Sequence, residues 1–165
     1  GVRVRHVQSV ADVLVESGCG LIICEESIKI IAPSVLLGVK NIQTQPYPGF
    51  PTDMQSQMMA CLCTAHGESS ITENIFENRF KIVPELIRMG ADISVSGSKA
   101  LLSGSAKLHG EAVAARDLRG GAALVAAGLA AEGTTIVQES EYIDRGYVDV
   151  CSDLRSLGAC IDRRQ

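Results

Sequence analysis

One aspartate and three arginines are the residues whose types and placement could do chemistry together. They are Asp53 in FPTD, Arg79 in FENRF, Arg119 in DLRG and Arg145 in DRGY. A helix entrance carries partial positive charge and free N–H groups, so guanidinium forks placed there make a site for a phosphate or a carboxylate. We interpret the set as a site for a negatively charged substrate. For any single arginine, the alternative is an ion pair with Asp117, Asp144 or Glu77.

The acid of this set follows a stiff stretch, PYPGFP, with three prolines in six residues. Proline fixes φ and moves the preceding residue away from helical geometry, so the chain must approach Asp53 in an extended form. Thr52 and Asp53 are residue types that accept hydrogen bonds from the first N–H groups of a helix, and MQSQMMACLCTA is compatible with one. Two interpretations remain open: Asp53 caps a helix, or its carboxylate is held at a fixed height over a cleft.

Composition excludes several classes of function. The chain has 165 residues, enough for one domain with its own core. Its formal charge of −4, without any run of Lys and Arg, argues against a nucleic-acid surface. No apolar run approaches the roughly 20 residues of a membrane span, and GVRVRHVQSV lacks the apolar segment of a signal peptide. We therefore expect no nucleic-acid or membrane partner, and a cytoplasmic location.

The six cysteines and three histidines form no metal-binding pattern. None of the cysteines is spaced as CxxC, and Cys61 and Cys63 lie two apart on a predicted helix, so they should point in different directions. We expect all six to be buried free thiols of a reducing cytosol, and we expect neither a metal nor another cofactor.

The sequence repeats itself at an interval of about 64 to 68 residues. Residues 51–93 align with 115–161, and 10–23 echoes the closing half of the same unit. The aligned residues are Asp53 with Asp117, Gly67 with Gly133, Arg79 with Arg145, and Gly90 with Gly158. The chain therefore begins partway through a copy of the unit.

Each copy has the same predicted order of elements. A helix rich in Ala, Met and Leu comes first and ends at Gly67 or Gly133, and a β-branched strand, an amphipathic helix and a second strand follow it. The predicted helices span 53–66, 80–89, 117–131 and 147–157. The predicted strands are SSITENI, ADISV, TTIVQES and ACID, with further strands at 100–103 and 106–115. The unit is therefore close to βαβαββ.

One predicted helix contains AALVAAGLAA, which is apolar on nearly every side. Such a helix must be enclosed all round, so we expect an α+β fold with helices inside and sheets outside. The alternative, a doubly wound sheet between two helical layers, would need longer apolar strands than these.

Five motifs give the chain a resemblance to the enolpyruvyl transferases over almost its whole length. They are PYPGFPTDMQSQ, IFENRF, ELIRMGADI, DLRGGAALV and YIDRGY. Within that family the chain is similar to the branch that acts on UDP-N-acetylglucosamine rather than to the sister branch that acts on shikimate 3-phosphate. The resemblance implies an inside-out α/β barrel of βαβαββ units. Residues 1–165 would form a single domain, most of the C-terminal barrel, and the active site would lie in the cleft between two barrels.

The resemblance also implies a reaction. The enolpyruvyl group of phosphoenolpyruvate would pass to the 3′-hydroxyl of UDP-N-acetylglucosamine with release of phosphate, the first committed step of peptidoglycan synthesis. Asp53 would accept the proton of that hydroxyl, and the backbone of Ile75 would contact the nucleotide sugar. Arg119 and Arg145 would close over phosphoenolpyruvate. Arg79 would line the same cleft.

Some elements of the family have no counterpart in this sequence. The Lys-Asn pair that binds phosphoenolpyruvate and the flexible loop with a reactive cysteine are absent, so we expect the missing N-terminal half of the enzyme as a partner and no turnover by this chain alone. Arg116, Tyr142 and Val148 replace the usual Thr, His and Glu. These departures leave a second hypothesis open: a non-catalytic paralogue or regulatory module that binds sugar nucleotides.

Overall fold

Short helices and strands alternate along the chain. A computed structural model describes residues 1–164. Its α-helices are α1 (Gln8–Glu16), α2 (Gln55–Leu62), α3 (Val83–Arg88), α4 (Leu118–Ala130), α5 (Glu141–Asp144) and α6 (Val150–Ser156). Its strands are β1 (Gly20–Ile23), β2 (Ile28–Ile31), β3 (Ile42–Gln43), β4 (Ser69–Thr72), β5 (Ile93–Ser96), β6 (Lys99–Leu102), β7 (Ala112–Ala114) and β8 (Ile136–Gln138). The mixed α+β content agrees with the sequence prediction.

The predicted βαβαββ unit is present in full from β3 to β6. Its strands form one sheet in the order β3-β4-β6-β5, with β3 parallel to β4 and the other neighbours antiparallel. The parallel pair is joined through α2, as a parallel connection requires. Because β5 and β6 are consecutive in sequence, they close the unit as a hairpin.

The second copy starts in the same way and ends differently. Strand β7 runs parallel to β8, and α4 connects them. Helix α6 lies within the amphipathic helix predicted at 147–157, and a short helix that was not predicted, α5, precedes it. The predicted strand ACID is irregular backbone. A short strand needs a neighbour, and within residues 1–164 no strand pairs with this segment as β6 pairs with β5.

Three helices each end in a turn of the same type, which confirms the repeat at the level of the backbone. Gly18, Gly90 and Gly158 each lie two residues beyond a helix, with φ of 93°, 100° and 94°. Glycine adopts this left-handed conformation without strain, and the N–H groups of the turn bond back to the last carbonyls of the helix. Gly67 and Gly133 also have positive φ, but α2 and α4 end earlier than predicted, so these two glycines lie in the following loops rather than at the caps.

The core lies where α2 and α4 pack against each other. Met59 and Leu62 of α2 and Ala123 and Leu124 of α4 are almost fully buried in one cluster of apolar side chains. Strand β6 alternates between buried Ala100 and Leu102 and exposed neighbours, so one face of its sheet covers this core. No helix within residues 1–164 has the length and apolarity needed to cross a membrane.

The prediction that all six cysteines are buried is wrong. All are free, but only Cys19 and Cys63 are buried. Cys24, Cys61 and Cys160 are exposed, and Cys151 is half-buried. Burial raises the pKa of the Cys63 thiol to about 12, so this thiol stays protonated. Cys61 is exposed on α2, which confirms that the two neighbouring thiols point in different directions.

Gly121 of α4 lies at the contact with α5, and its substitution should destabilise the protein. A Cβ atom there would lie 2.6 Å from Ile143 Cγ1 and 2.9 Å from Ala115 Cβ, both buried. We expect Gly121→Ala to lower the free energy of unfolding by about 1–3 kcal/mol through overpacking. The control is Gly120→Ala, whose Cβ would meet Asp117 at an ordinary 3.5 Å and should raise that free energy by up to about 1 kcal/mol. Urea denaturation measures both, and equal effects of the two variants would contradict the prediction.

Candidate functional site

Asp53 lies at the entrance to α2, but it does not cap that helix. The proline-rich loop ends at Pro51 in an extended conformation and enters a 3₁₀ turn, Thr52–Met54, which leads into α2. No side chain accepts a hydrogen bond from the first turn of α2. The aligned Asp117 does cap its helix, since it accepts hydrogen bonds from the N–H groups of Arg119 at 3.0 Å and Gly120 at 2.8 Å. The cap interpretation of Asp53 is therefore wrong.

The carboxylate of Asp53 instead bonds to two arginines from different parts of the chain. Arg79 Nη2 donates to Oδ1 at 3.2 Å, and Arg119 Nε donates to the same oxygen. The side chain of Asp53 is 61% exposed, whereas those of Arg79 and Arg119 are 20% and 33% exposed. The acid thus faces solvent with both guanidinium groups behind it. We call Asp53, Arg79 and Arg119 the Asp53 cluster.

The ion-pair partners named in the sequence prediction are not used by these arginines. Asp117 is occupied as a helix cap, and Asp144 pairs with Arg163. Arg79 and Arg119 pair with Asp53, the acid that the sequence placed in the same site. Arg79 and Arg119 therefore form one cluster around one acid, and not separate surface pairs.

Arg79 is held on three sides. Its Nε donates to Thr52 Oγ1 at 3.2 Å, its Nη2 bonds to Asp53, and its guanidinium lies 4.9 Å from the centre of the Phe76 ring. The ring face attracts a cation. Because these contacts fix the guanidinium before any ligand arrives, Arg79 needs little ordering to hold an anion.

The hydrogen bond from Arg119 holds the pKa of the Asp53 carboxyl below its ordinary value of 3.8. Partial burial opposes this effect, and the charges of Arg119 and Arg79 reinforce it. The carboxylate therefore stays ionised at neutral pH. The associated stabilisation of the fold is present above the unfolded-state pKa and is lost as the pH falls through the lower folded-state value.

Removing Arg119 should therefore raise the pKa of Asp53. We expect the Asp53 carboxyl of Arg119→Ala to titrate at a higher pH than in the unaltered protein, because the main stabilising contact of the carboxylate is gone. Carbon-13 NMR of the Asp53 carboxyl measures this directly. Arg88→Ala is the control, since Arg88 pairs with Glu85 and Glu111 instead. An unchanged Asp53 titration in Arg119→Ala would show that the contact does not persist in solution.

Arg145 stands outside the Asp53 cluster. It directly follows α5, a helix absent from the sequence prediction, and its exposed side chain forms no hydrogen bond or ion pair within residues 1–164. Its neighbour Gly146 lies against α4, since a Cβ there would be 2.7 Å from Leu118. Because Leu118 precedes Arg119, the backbone that carries Arg145 lies beside the first turn that carries Arg119.

Ile75 is linked to the Asp53 cluster through a residue that the sequence prediction missed. The N–H of Ile75 donates to Glu73 Oε1 at 2.9 Å, and Thr52 donates to the other oxygen of Glu73. A ligand contact at the Ile75 backbone would therefore use its carbonyl oxygen. The only sequence signal for Glu73 was an acid directly after a β-branched strand, and that pattern is equally typical of an exposed loop.

The arrangement can bind an anion and accept a proton. Two ordered guanidinium groups supply charge-assisted hydrogen bonds, and the carboxylate beside them is ionised and open to solvent. Within the described chain, no three His, Cys, Asp or Glu side chains are grouped to hold a metal ion.

Curated relatives are about 50% identical in sequence to this chain over nearly its whole length. UDP-N-acetylglucosamine 1-carboxyvinyltransferase 2 of Caldanaerobacter subterraneus subsp. tengcongensis is 50% identical over 159 residues, which cover 96% of this chain and 38% of that relative. UDP-N-acetylglucosamine 1-carboxyvinyltransferase of Desulfofundulus thermocisternus is 52% identical over 159 residues, and the match covers 65% of the length of that relative. The chain thus spans less than two thirds of each of these proteins.

Experimental structures and a family model agree with these relatives. The structure of the enolpyruvyl transferase NikO from Streptomyces tendae superimposes on this chain with a TM-score of 0.84 at 28% sequence identity. The match covers 93% of this chain and 35% of the NikO chain. EPSP synthase from Acinetobacter baumannii shares the fold at 18% identity, with a TM-score of 0.57 over 84% of this chain. The family model described as EPSP synthase (3-phosphoshikimate 1-carboxyvinyltransferase) matches residues 1–154. The resemblance inferred from the motifs is thereby confirmed, and the chain belongs to the EPSP synthase family of enolpyruvyl transferases.

Proposed function

We propose that this chain forms part of an enzyme that transfers the enolpyruvyl group of phosphoenolpyruvate to the 3′-hydroxyl of UDP-N-acetylglucosamine with release of phosphate. The observation that carries the proposal is the Asp53 cluster, in which an ionised, exposed carboxylate lies against two ordered arginines. The names of the relatives at 50% and 52% identity support this pair of substrates. The product would enter peptidoglycan synthesis in the cytoplasm.

In this proposal Asp53 is the general base for the sugar hydroxyl. Its low pKa keeps it ionised but makes it a weak base while Arg119 donates to it. An anionic substrate that binds Arg119 competes for the same guanidinium. When the guanidinium turns to the substrate, the Asp53 carboxylate loses its main stabilising hydrogen bond and becomes more basic. Binding of phosphoenolpyruvate would thus activate the base that the second substrate needs.

The remaining residues bind the two substrates. Arg119 and Arg145 close over phosphoenolpyruvate and neutralise charge as it develops. The packing of Gly146 against Leu118, which places the backbone of Arg145 near that of Arg119, supports this role. Arg79 lines the same cleft. The backbone carbonyl of Ile75 contacts the nucleotide sugar.

We also propose that residues 1–165 are a single domain, most of the C-terminal barrel of the enzyme, with helices inside and sheets outside. The mutual burial of α2 and α4 supports the inner position of the helices. The β1–β2 hairpin exposes four isoleucines, a surface that further chain would cover. They are Ile22, Ile23, Ile30 and Ile31. The chain alone is then inactive, because the Lys-Asn pair and the cysteine loop would come from the missing N-terminal half.

Phosphate release tests the proposal. The assay supplies phosphoenolpyruvate with UDP-N-acetylglucosamine, or with shikimate 3-phosphate as the control acceptor, to this chain and to the full translation product that contains it. Release only by the longer product, and only with the UDP-sugar, supports the proposal. Release with shikimate 3-phosphate instead would assign the chain to the other branch. Sugar-nucleotide binding without any release would favour the non-catalytic paralogue, for which the substitutions at Arg116, Tyr142 and Val148 are the motivation.

A further inference from the structure

Glu73 is a buried acid that has no role in the function proposed above. It directly follows β4 and is 3% exposed. Within residues 1–164 it forms no ion pair. Four neutral donors satisfy it instead. Oε1 accepts from Thr44 Oγ1 and Ile75 N, both at 2.9 Å, and from Phe76 N at 3.1 Å. Oε2 accepts from Thr52 Oγ1 at 2.9 Å.

The hydrogen-bond donors around Glu73 suit a carboxylate better than another polar group. Four donors point at the side chain, and an ionised carboxylate is an acceptor on both oxygens. An amide would keep one acceptor oxygen and place an NH2 group where the second oxygen now accepts from Thr52, and a protonated acid would turn one oxygen into a donor. A buried acid without hydrogen bonds would be costly, so the complete set of partners explains how Glu73 remains in the interior.

The two oxygens of Glu73 hold two different loops. Oε2 accepts from Thr52, whose hydroxyl in turn accepts from Nε of Arg79 at 3.2 Å. Oε1 accepts from the backbone of Ile75 and Phe76, and the Phe76 ring lies beneath the Arg79 guanidinium. One side chain therefore ties the loop that carries Asp53 to the loop that carries Ile75, Phe76 and Arg79.

We propose that Glu73 is a positioning residue of the Asp53 site: its two oxygens set the distance between the loop of Asp53 and the loop of Ile75 and Arg79. It touches neither substrate. When a base and a binding residue lie on separate loops, the reaction rate falls steeply if the loops shift. A displacement of about 1 Å can lower that rate about 10²-fold. The kinetic part of this inference rests on the proposed function, whereas its structural part does not.

Two substitutions in the full translation product test the inference. Glu73→Gln keeps the size of the side chain and removes its charge, and we expect kcat to fall about 10- to 100-fold. Thr52→Val removes the hydroxyl that joins Glu73 to Arg79 and should lower kcat in the same direction, while Thr52→Ser keeps the hydroxyl and should restore it to within about threefold of the unaltered protein. Hydrogen–deuterium exchange at the amides of Ile75 and Phe76 should speed up about tenfold in Glu73→Gln, because a charge-assisted bond becomes a neutral one.

The matched control is Glu85→Gln. Glu85 is also buried, at 7% exposed, and accepts hydrogen bonds from Arg88 and from the N–H of Ala114, away from Asp53. We expect this variant to keep kcat within about threefold even where its melting temperature falls. Equal loss of kcat in Glu85→Gln and Glu73→Gln would overturn the proposal, because the effect would then be one of stability alone.

The outcomes separate this proposal from the proposed function. If the unaltered protein releases no phosphate, the proposed function fails, and the exchange comparison alone decides the role of Glu73. If the unaltered protein is active and Glu73→Gln matches it in both kcat and amide exchange, the positioning role is wrong. If Glu73→Gln does not fold, the comparison of Thr52→Val with Thr52→Ser decides, and equal kcat in those two would reject the link to Arg79.

Discussion

Asp53→Asn is expected to lower kcat of the full translation product by about 10²–10⁴-fold, the usual contribution of a positioned general base. The amide keeps the size of the side chain and can still accept from one arginine, but it cannot take up the proton of the sugar hydroxyl. Binding of UDP-N-acetylglucosamine should change little, because the substitution leaves the Ile75 loop in place. Steady-state phosphate release gives kcat, and isothermal titration calorimetry gives the affinity for the sugar nucleotide.

Asp92→Asn is the control for this prediction. Asp92 is exposed, and its side chain forms neither a hydrogen bond nor an ion pair with another residue among 1–164. The same chemical change there should leave kcat unaltered. Near-normal turnover by Asp53→Asn would remove Asp53 from the mechanism. The arginines around it would then serve only to bind an anion.

Arg119→Ala should have the second-largest effect and should act on the other substrate. We expect kcat/KM for phosphoenolpyruvate to fall about 10²–10³-fold, because removal of one hydrogen-bond donor to the negative charge of a transition state has an effect of this size. The KM for UDP-N-acetylglucosamine should change much less. Arg119→Lys should recover only part of the loss, because an ammonium keeps the charge without the two-pronged geometry of a guanidinium.

Initial rates with each substrate varied in turn measure this selectivity. Arg88→Ala serves again as the control, since its acidic partners lie elsewhere. An equal effect of Arg119→Ala on both substrates would argue for a general loss of structure. An unchanged dependence on phosphoenolpyruvate would count against the assignment of Arg119 to that substrate.

The features that the sequence predicted well are those set by neighbouring residues. The helix predicted at 117–131 is present as α4, which begins at Leu118, and its start depends on a few consecutive residues. The turns at Gly90 and Gly158, after α3 and α6, likewise depend on one residue with positive φ. Such local rules act within one turn of the backbone, so reading along the chain is enough to find them.

The features that the sequence did not predict depend on distant partners. Asp53 has the composition of a cap, yet Arg119, 66 positions later, takes its carboxylate. The burial of Glu73 depends on Thr44 and Thr52, which reach it from two other segments. The segment ACID has strand-like residues but no neighbouring strand within the described chain, so its backbone is irregular. Pattern and propensity carry no information on such pairings.

The aligned aspartates of the two repeats, Asp53 and Asp117, have different structural roles. Asp117 caps the helix of its own copy and stabilises it. Asp53 pairs instead with Arg119 of the neighbouring copy and Arg79 of its own copy. The cluster therefore belongs to neither repeat alone and exists only where the two meet. The cap by Asp117 needs only the residues of one copy, whereas the Asp53 cluster needs both copies at once.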